Sequence, residues 1–179
     1  MTTMKLVAHP ACPPSSVRCV EVELTATDWE DVLLDFRIDG ERVVIPGWLT
    51  PARADGLWNS TCFEFFLRVP GVESYYEFNF SPSGLWAAYA FDGYRKGMRA
   101  LELAVEPHVE VDPVRPLDLR VALDLSDTPN VPMLASISAV IEELDGTMSY
   151  WALAHAPGDN PDFHHPDCFV IEIPAARPA

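Results

Sequence analysis

Positive charge is scarce in this sequence. It has 12 Lys and Arg against 27 Asp and Glu, a formal net charge of −15. So acidic a surface repels phosphate backbones and anionic lipid heads, which makes nucleic acid and membranes poor partners. Neutral and cationic ligands stay open, and the plain reading is that most of the charge keeps the chain soluble. Long apolar runs are missing as well. No stretch approaches the length that spans a bilayer, and Met1-Thr2-Thr3-Met4-Lys5 carries no signal-peptide core. Cys12, Cys19, Cys62 and Cys168 fit no CxxC or zinc-ribbon spacing. These absences predict a cytoplasmic protein with free thiols. No segment sustains a helical apolar stripe, and nothing repeats at a fixed period. There is no GxSxG, no P-loop and no GxGxxG opening a helix, so the sequence makes no case for catalysis.

What is present points to strands. Of 179 residues, 49% are hydrophobic, enough for a core without disulfides, and 17 are proline, which suits short strands and many loops. In Arg18–Thr25 the residues Val20, Val22 and Leu24 alternate with Glu21 and Glu23, the signature of a half-buried strand. Val32–Ile38 reads as a second strand. Asp39-Gly40 then signals a hairpin whose partner is Glu41–Ile45. Further strands are expected at Thr61–Val69, Ser74–Phe80, Leu85–Phe91, Leu101–Val111, Leu117–Leu125, Leu134–Leu144, Met148–Ala154 and Phe169–Ile173. About eleven strands with turns between them predict one all-β domain over residues 1–179, a two-sheet antiparallel sandwich of jelly-roll type. Short helical turns are allowed only near 94–101 and 162–165.

Chemistry concentrates in residues 58–94. Phe63, Phe65 and Leu67 share one face of a strand, and Cys62, Glu64 and Phe66 share the other. In the next strand Tyr76, Phe78 and Phe80 oppose Tyr75, Glu77, Asn79 and Ser81. Paired as a hairpin, the two strands put Cys62, Glu64, Glu77 and Asn79 together on the face away from the core, with Trp58 in the loop before it. Aromatic rings beside carboxylate and amide groups suit a sugar, because a ring stacks on the C–H face of a pyranose while the polar groups bind its hydroxyls. The bland alternative is an ordinary mixed outer surface.

The run Trp58…Cys62-Phe63-Glu64-Phe65-Phe66-Leu67…Tyr76-Glu77-Phe78-Asn79-Phe80-Ser81-Pro82-Ser83-Gly84…Trp86-Ala87-Ala88-Tyr89 resembles the DOMON-like group related to family 9 carbohydrate-binding modules. Tyr150-Trp151-Ala152-Leu153…Pro161-Asp162-Phe163-His164-His165-Pro166-Asp167-Cys168-Phe169 resembles the C-terminal signature of that group. The resemblance implies a jelly-roll-like sandwich and non-catalytic binding of a small carbohydrate. It implies ligand contacts from Trp58 and Glu64, polar contacts from Glu77 and Asn79, and a second clamping Trp, either Trp86 or Trp151. Sugar-binding relatives carry a basic residue where Glu77 stands. Two alternatives come with the resemblance: a protein-docking module associated with cell-wall precursor metabolism, and a haem-binding DOMON-type domain. None of His9, His108, His155, His164, His165, Met98, Met133 or Met148 falls in a pattern tied to the haem binders, so no cofactor is expected.

Other clusters carry less. Asp162, His164, His165 and Asp167 could hold a metal, but the two adjacent His would point apart on a strand, and Asp162 suits a loop-shaping bond to its own backbone. A Ca²⁺ site is unreadable from the pattern. Glu64 and Glu77 do not suit a glycosidase pair, since neighbours on one face lie on the same side of any ligand. Cys62 has acidic neighbours that raise a thiol pKa. Glu64 is expected to face a recess and hold a ligand hydroxyl, with burial against Arg95 or Arg120 as the alternative.

Overall fold

β2 (Cys19–Asp28) shows how alternation becomes a wall of the core. Val20 and Val22 are fully buried, while Glu21 and Glu23 stay at the surface. The computed structural model describes residues 3–115 and 117–176. It contains β1 (Thr3–Ala8), β2, β3 (Asp31–Asp39), β4 (Cys62–Arg68), β5 (Tyr75–Phe80), β6 (Trp86–Phe91) and β7 (Arg99–Ala100). Then follow β8 (His108–Val111), β9 (Asp118–Leu123), β10 (Met133–Glu142), β11 (Met148–Ala152) and β12 (Ile171–Ile173). The only helical pieces among the described residues are two three-residue 3-10 turns, Leu57–Asn59 and Pro166–Cys168. None of the helices is long and apolar enough to cross a membrane.

All strand pairings are antiparallel, in the order β7-β6-β5-β4-β10-β11-β1-β2-β3-β9-β8, with β12 on β10. The expected pair of separate sheets is in fact one continuous curled sheet. β1 makes the join: Thr3–Leu6 pair with β2, and Val7-Ala8 pair with β11. The two halves then close on one core. Phe36 of β3 meets Phe63 of β4 with ring centroids 4.5 Å apart, and Val22, Leu34, Phe65, Phe78 and Ile137 are all fully buried in the same cluster. Burial of these side chains is the main stabilising term, about 1.5–3 kcal/mol for each.

Two expected strands are corrected. Glu41–Ile45 does not return along β3, because β2 and β9 already occupy both edges of β3. The chain turns away at Arg42, whose φ of 59° is left-handed, and tacks onto the end of β10 through a bridge between Val43 and Glu143. Leu101–Val111 is mostly loop, with only β8 at its end. The Arg53 guanidinium binds the Leu101 carbonyl and also that of Ala88, which already accepts the Leu101 N–H. The same 52–54 segment covers the edge of β6, through Trp86 N–H to Ala52 O at 3.1 Å and Ala54 N–H to Trp86 O at 2.9 Å, a protection that exposed sheet edges need.

The Ser81–Gly84 turn between β5 and β6 depends on Gly84, whose φ is 88°. A Cβ there would meet the Trp48 ring at 3.1 Å and Leu49 O at 3.3 Å. Gly84→Ala should therefore lower stability by roughly 1–2 kcal/mol, the cost of a left-handed side chain. A thermal melt checks it, and an unchanged Tm would show that the turn tolerates a Cβ.

Candidate functional site

Register determines which side chains meet on the outer face of the β4–β5–β6–β10–β11 half. One row across the strands reads Ala87, Asn79, Glu64, Ser138, Ala152. The next reads Tyr89, Glu77, Phe66, Ser136, and the third Phe91, Tyr75, Arg68, Leu134. A polar strip thus runs through the middle of the face with aromatic side chains beside it. This face is not open. Loop residues Phe163 and Phe169 close over it and join Phe66, Tyr75, Ala87, Tyr89, Phe91, Val140 and Ala152 in a second apolar cluster. Glu64, Glu77, Asn79, Ser136 and Ser138 are all buried under this roof.

The strip is wired by hydrogen bonds. Ser138 Oγ donates to Glu64 Oε2 at 2.9 Å, and Asn79 Nδ2 donates to Glu77 Oε1 at 2.8 Å. His164 Nε2 lies 3.9 Å from Glu77 Oε2, and its Nδ1 is 2.7 Å from the Tyr75 hydroxyl, which also accepts the Arg95 N–H at 3.2 Å. In the tautomer that lets the phenol donate to Nδ1, Nε2 carries the proton and faces Glu77. Arg95 is held by Asp162 at 2.8 Å and has a left-handed φ of 53°. A non-glycine residue in that region stores strain of the kind that collects at functional sites.

Burial dominates the electrostatics. It raises Glu64 to about 8, helped by the Glu77 charge and opposed by Ser138 and Arg95. It raises Glu77 to about 7, against the Asn79 hydrogen bond and Arg95. Burial, then Arg95, lowers His164 to about 4, so the imidazole is neutral near pH 7. The Cys62 thiol is pushed up by burial and by Glu64, which makes it a poor nucleophile.

The strip ends in a cleft of about 390 Å³ lined by Arg68, Glu73, Tyr75, Tyr94, Lys96, His164 and Phe169, among others. That size suits a small molecule, and aromatic walls with a few charged groups are the usual lining of such a site. Clefts on the other half, around Arg37, Arg115 and Asp118, are lined by charges that satisfy one another, as in Arg120–Asp35 at 2.6 Å and Arg115–Asp118 at 3.2 Å.

Of the residues singled out from the sequence, Glu64, Glu77 and Asn79 come together as neighbours on one face. Trp58 borders that face at the Tyr89 end, with ring centroids 6.2 Å apart and the indole 38% exposed. Trp86 and Trp151 do not join them. Both lie on the core side of the sheet, because Trp86 pairs with Phe80 and Trp151 with Ala139, one residue out of phase with the outer-face positions. Neither shares the outer face with Glu64, Glu77 and Asn79. Trp86 lies under the Arg53 guanidinium, and Trp151 Nε1 donates to Ser149 Oγ at 2.9 Å. Glu64 is buried with no hydrogen bond to an Arg: Arg95 reaches it only through its field, and Arg120 is paired with Asp35 on the other half. Asp162 accepts the His164 N–H at 3.2 Å and shapes its loop. Among the described residues no group of three or more His, Cys, Asp or Glu side chains could hold a metal.

Sequence reasoning missed the cleft. The signal for Tyr75 was present, since it shares its face with Glu77 and Asn79. Tyr94, Lys96, His164 and Phe169 arrive on turns and loops, whose approach no period predicts.

No family model matches the chain, and no curated protein matches it in sequence. Among solved structures, that of a putative carbohydrate-binding protein from Bacteroides uniformis has the same fold, with a TM-score of 0.70 and 15% sequence identity. The match covers 94% of this chain and 84% of that one.

Proposed function

We propose that this chain is a non-catalytic carbohydrate-binding protein of the DOMON-like, family 9 carbohydrate-binding-module type, and that its ligand occupies the cleft at the Tyr75 end of the outer face. One observation carries the reading: the cleft joins aromatic walls, Tyr75, Tyr94 and Phe169, to a polar chain that runs through His164 and Glu77 toward Asn79. A pyranose needs both, rings for its C–H face and fixed polar groups for its hydroxyls. The fold shared with a putative carbohydrate-binding protein agrees with this. Binding without turnover follows from the carboxylates, because Glu64 and Glu77 stand on one side of any ligand, where hydrolysis needs two groups flanking the scissile bond. The cytoplasmic placement belongs to the same proposal and suits four cysteines that form no disulfide among the described residues.

Tyr94 gives the cleanest test. Its ring lines the cleft and is 47% exposed, so the fold does not depend on it. Isothermal titration against neutral and acidic mono- and disaccharides should find a ligand recovered unchanged, and Tyr94→Ala should weaken it about tenfold, the scale of one lost aromatic contact. Equal affinity in the variant, or no binding across the panel, would remove the proposal.

A further inference from the structure

In a chain with 27 acidic and 12 basic residues, most basic side chains find a carboxylate partner. Lys5, Arg18, Arg37, Arg95, Arg99, Arg115 and Arg120 each hold one. Among the described residues Arg42, Arg53, Arg68 and Lys96 hold none; Arg53 binds the carbonyls of Ala88 and Leu101 instead, and Arg68 and Lys96 line the same cleft. Lys5 and Lys96 are the only lysines in the sequence.

Arg68 is the more telling of the two. It ends β4 on the outer face, in register with Tyr75 on one side and Leu134 on the other. Its guanidinium carbon lies over the Phe169 ring, 5.0 Å from the ring centre. Its Nε is buried and has no hydrogen-bond partner among the described residues. A buried donor left unpaired is costly, and a guanidinium presents a planar fork that matches a carboxylate. The third charged residue of the lining is Glu73. It leaves the cleft lining with one net positive charge, since His164 is neutral near pH 7. One positive charge is balanced by a singly charged acid, whereas a doubly charged phosphate would add a net negative charge to an already acidic chain.

We propose that the cleft takes an acidic sugar, its carboxylate held by Arg68 and Lys96 and its ring against the aromatic walls. The inference rests on the carbohydrate-binding reading and names the ligand class of that site. It gives a carboxylate partner to two cations that line one cleft without one, and an acceptor to Arg68 Nε.

The test is isothermal titration of the full chain with glucuronate, galacturonate, their methyl esters, glucose, galactose and glucose 6-phosphate at low ionic strength. At least one uronate should bind about tenfold or more tighter than its own methyl ester, as expected for a hydrogen bond to a charged group. Arg68→Gln should remove most of that preference. Lys96→Gln, at an exposed position, should shrink the ratio and keeps the test open if the Arg68 variant fails to fold. Equal binding of acid and ester by the natural chain overturns the proposal, as does a ratio unchanged in the variants. Tighter binding of glucose 6-phosphate than of either uronate overturns the choice of a carboxylate. If neutral sugars bind and Tyr94→Ala weakens them, the carbohydrate-binding reading survives without the acidic preference; if none of these sugars binds, both fail.

Discussion

Glu64→Gln should leave the fold intact and flatten the dependence of stability on pH. Glu64 is raised from an ordinary 4.5 to about 8 in the folded protein, first by burial and then by Glu77. The folded state therefore holds this proton more tightly than the unfolded chain does. The resulting stability is fully present below about pH 4.5 and is lost as pH rises through about 8. Glu77 acts in the same direction up to about 7. Each tenfold preference for the protonated form amounts to about 1.4 kcal/mol, so the two carboxyls should cost the natural chain a few kcal/mol between pH 5 and pH 8, opposed up to about pH 6.5 by His164, whose lowered pKa adds stability as pH rises. Gln has the shape of the protonated acid and keeps an oxygen for Ser138. Its amide also supplies a donor toward Asn79, the register partner whose Oδ1 is buried without one. The variant should match the natural chain at pH 5 and exceed it at pH 8. The carboxylates held low, Asp39 by Arg18 and Asp145 by the Thr147 N–H, lose their contributions only in acid, below this window. Urea unfolding across the range reads the difference, and parallel profiles for the two proteins would show that Glu64 is ionised in the fold.

Phe63→Ala should cost about 3–5 kcal/mol, the usual loss for emptying a buried aromatic site. Phe63 is 1% exposed and stands against Phe36 across the core, the contact by which β3 meets β4. The cavity would open inside the shared core, among fully buried neighbours such as Val22, Leu34, Phe65 and Ile137 that β-sheet hydrogen bonds hold in place, so the surroundings have little freedom to collapse into it. Chemical denaturation should show a lower midpoint with an unchanged m-value. A loss under about 1 kcal/mol would mean that the two halves do not close on this core.

The period-2 pattern carried much of the fold because both faces of β4 and β5 were legible at once. Phe63, Phe65, Phe78 and Phe80 went to the core, and Glu64, Glu77 and Asn79 went to the other side. The same rule could have placed Trp86 and Trp151. Counting two residues at a time from Ala87, the partner of Asn79, puts Trp86 on the core face. Glu41–Ile45 failed for a different reason: Asp39-Gly40 is a hairpin signal only if β3 has a free edge, and edge occupancy is set by strands far away in sequence. The cleft was least legible of all. Its walls come from β4, β5, the 93–96 turn and the 163–169 loop, and only tertiary packing brings Tyr94 and His164 beside Tyr75. The roof over the polar strip, made by Phe163 and Phe169, likewise turned a face expected to be open into a second buried cluster.

The most direct measurement is a heteronuclear NMR titration of the uniformly ¹⁵N-labelled chain with glucuronate and galacturonate. Amide shifts should concentrate at Tyr75, Tyr94, Lys96, His164 and Phe169, with the Arg68 Nε–H signal moving as the acid binds. Shifts clustered at Trp58 and Tyr89 instead, or no shifts at all with either sugar acid, would contradict a ligand site in this cleft.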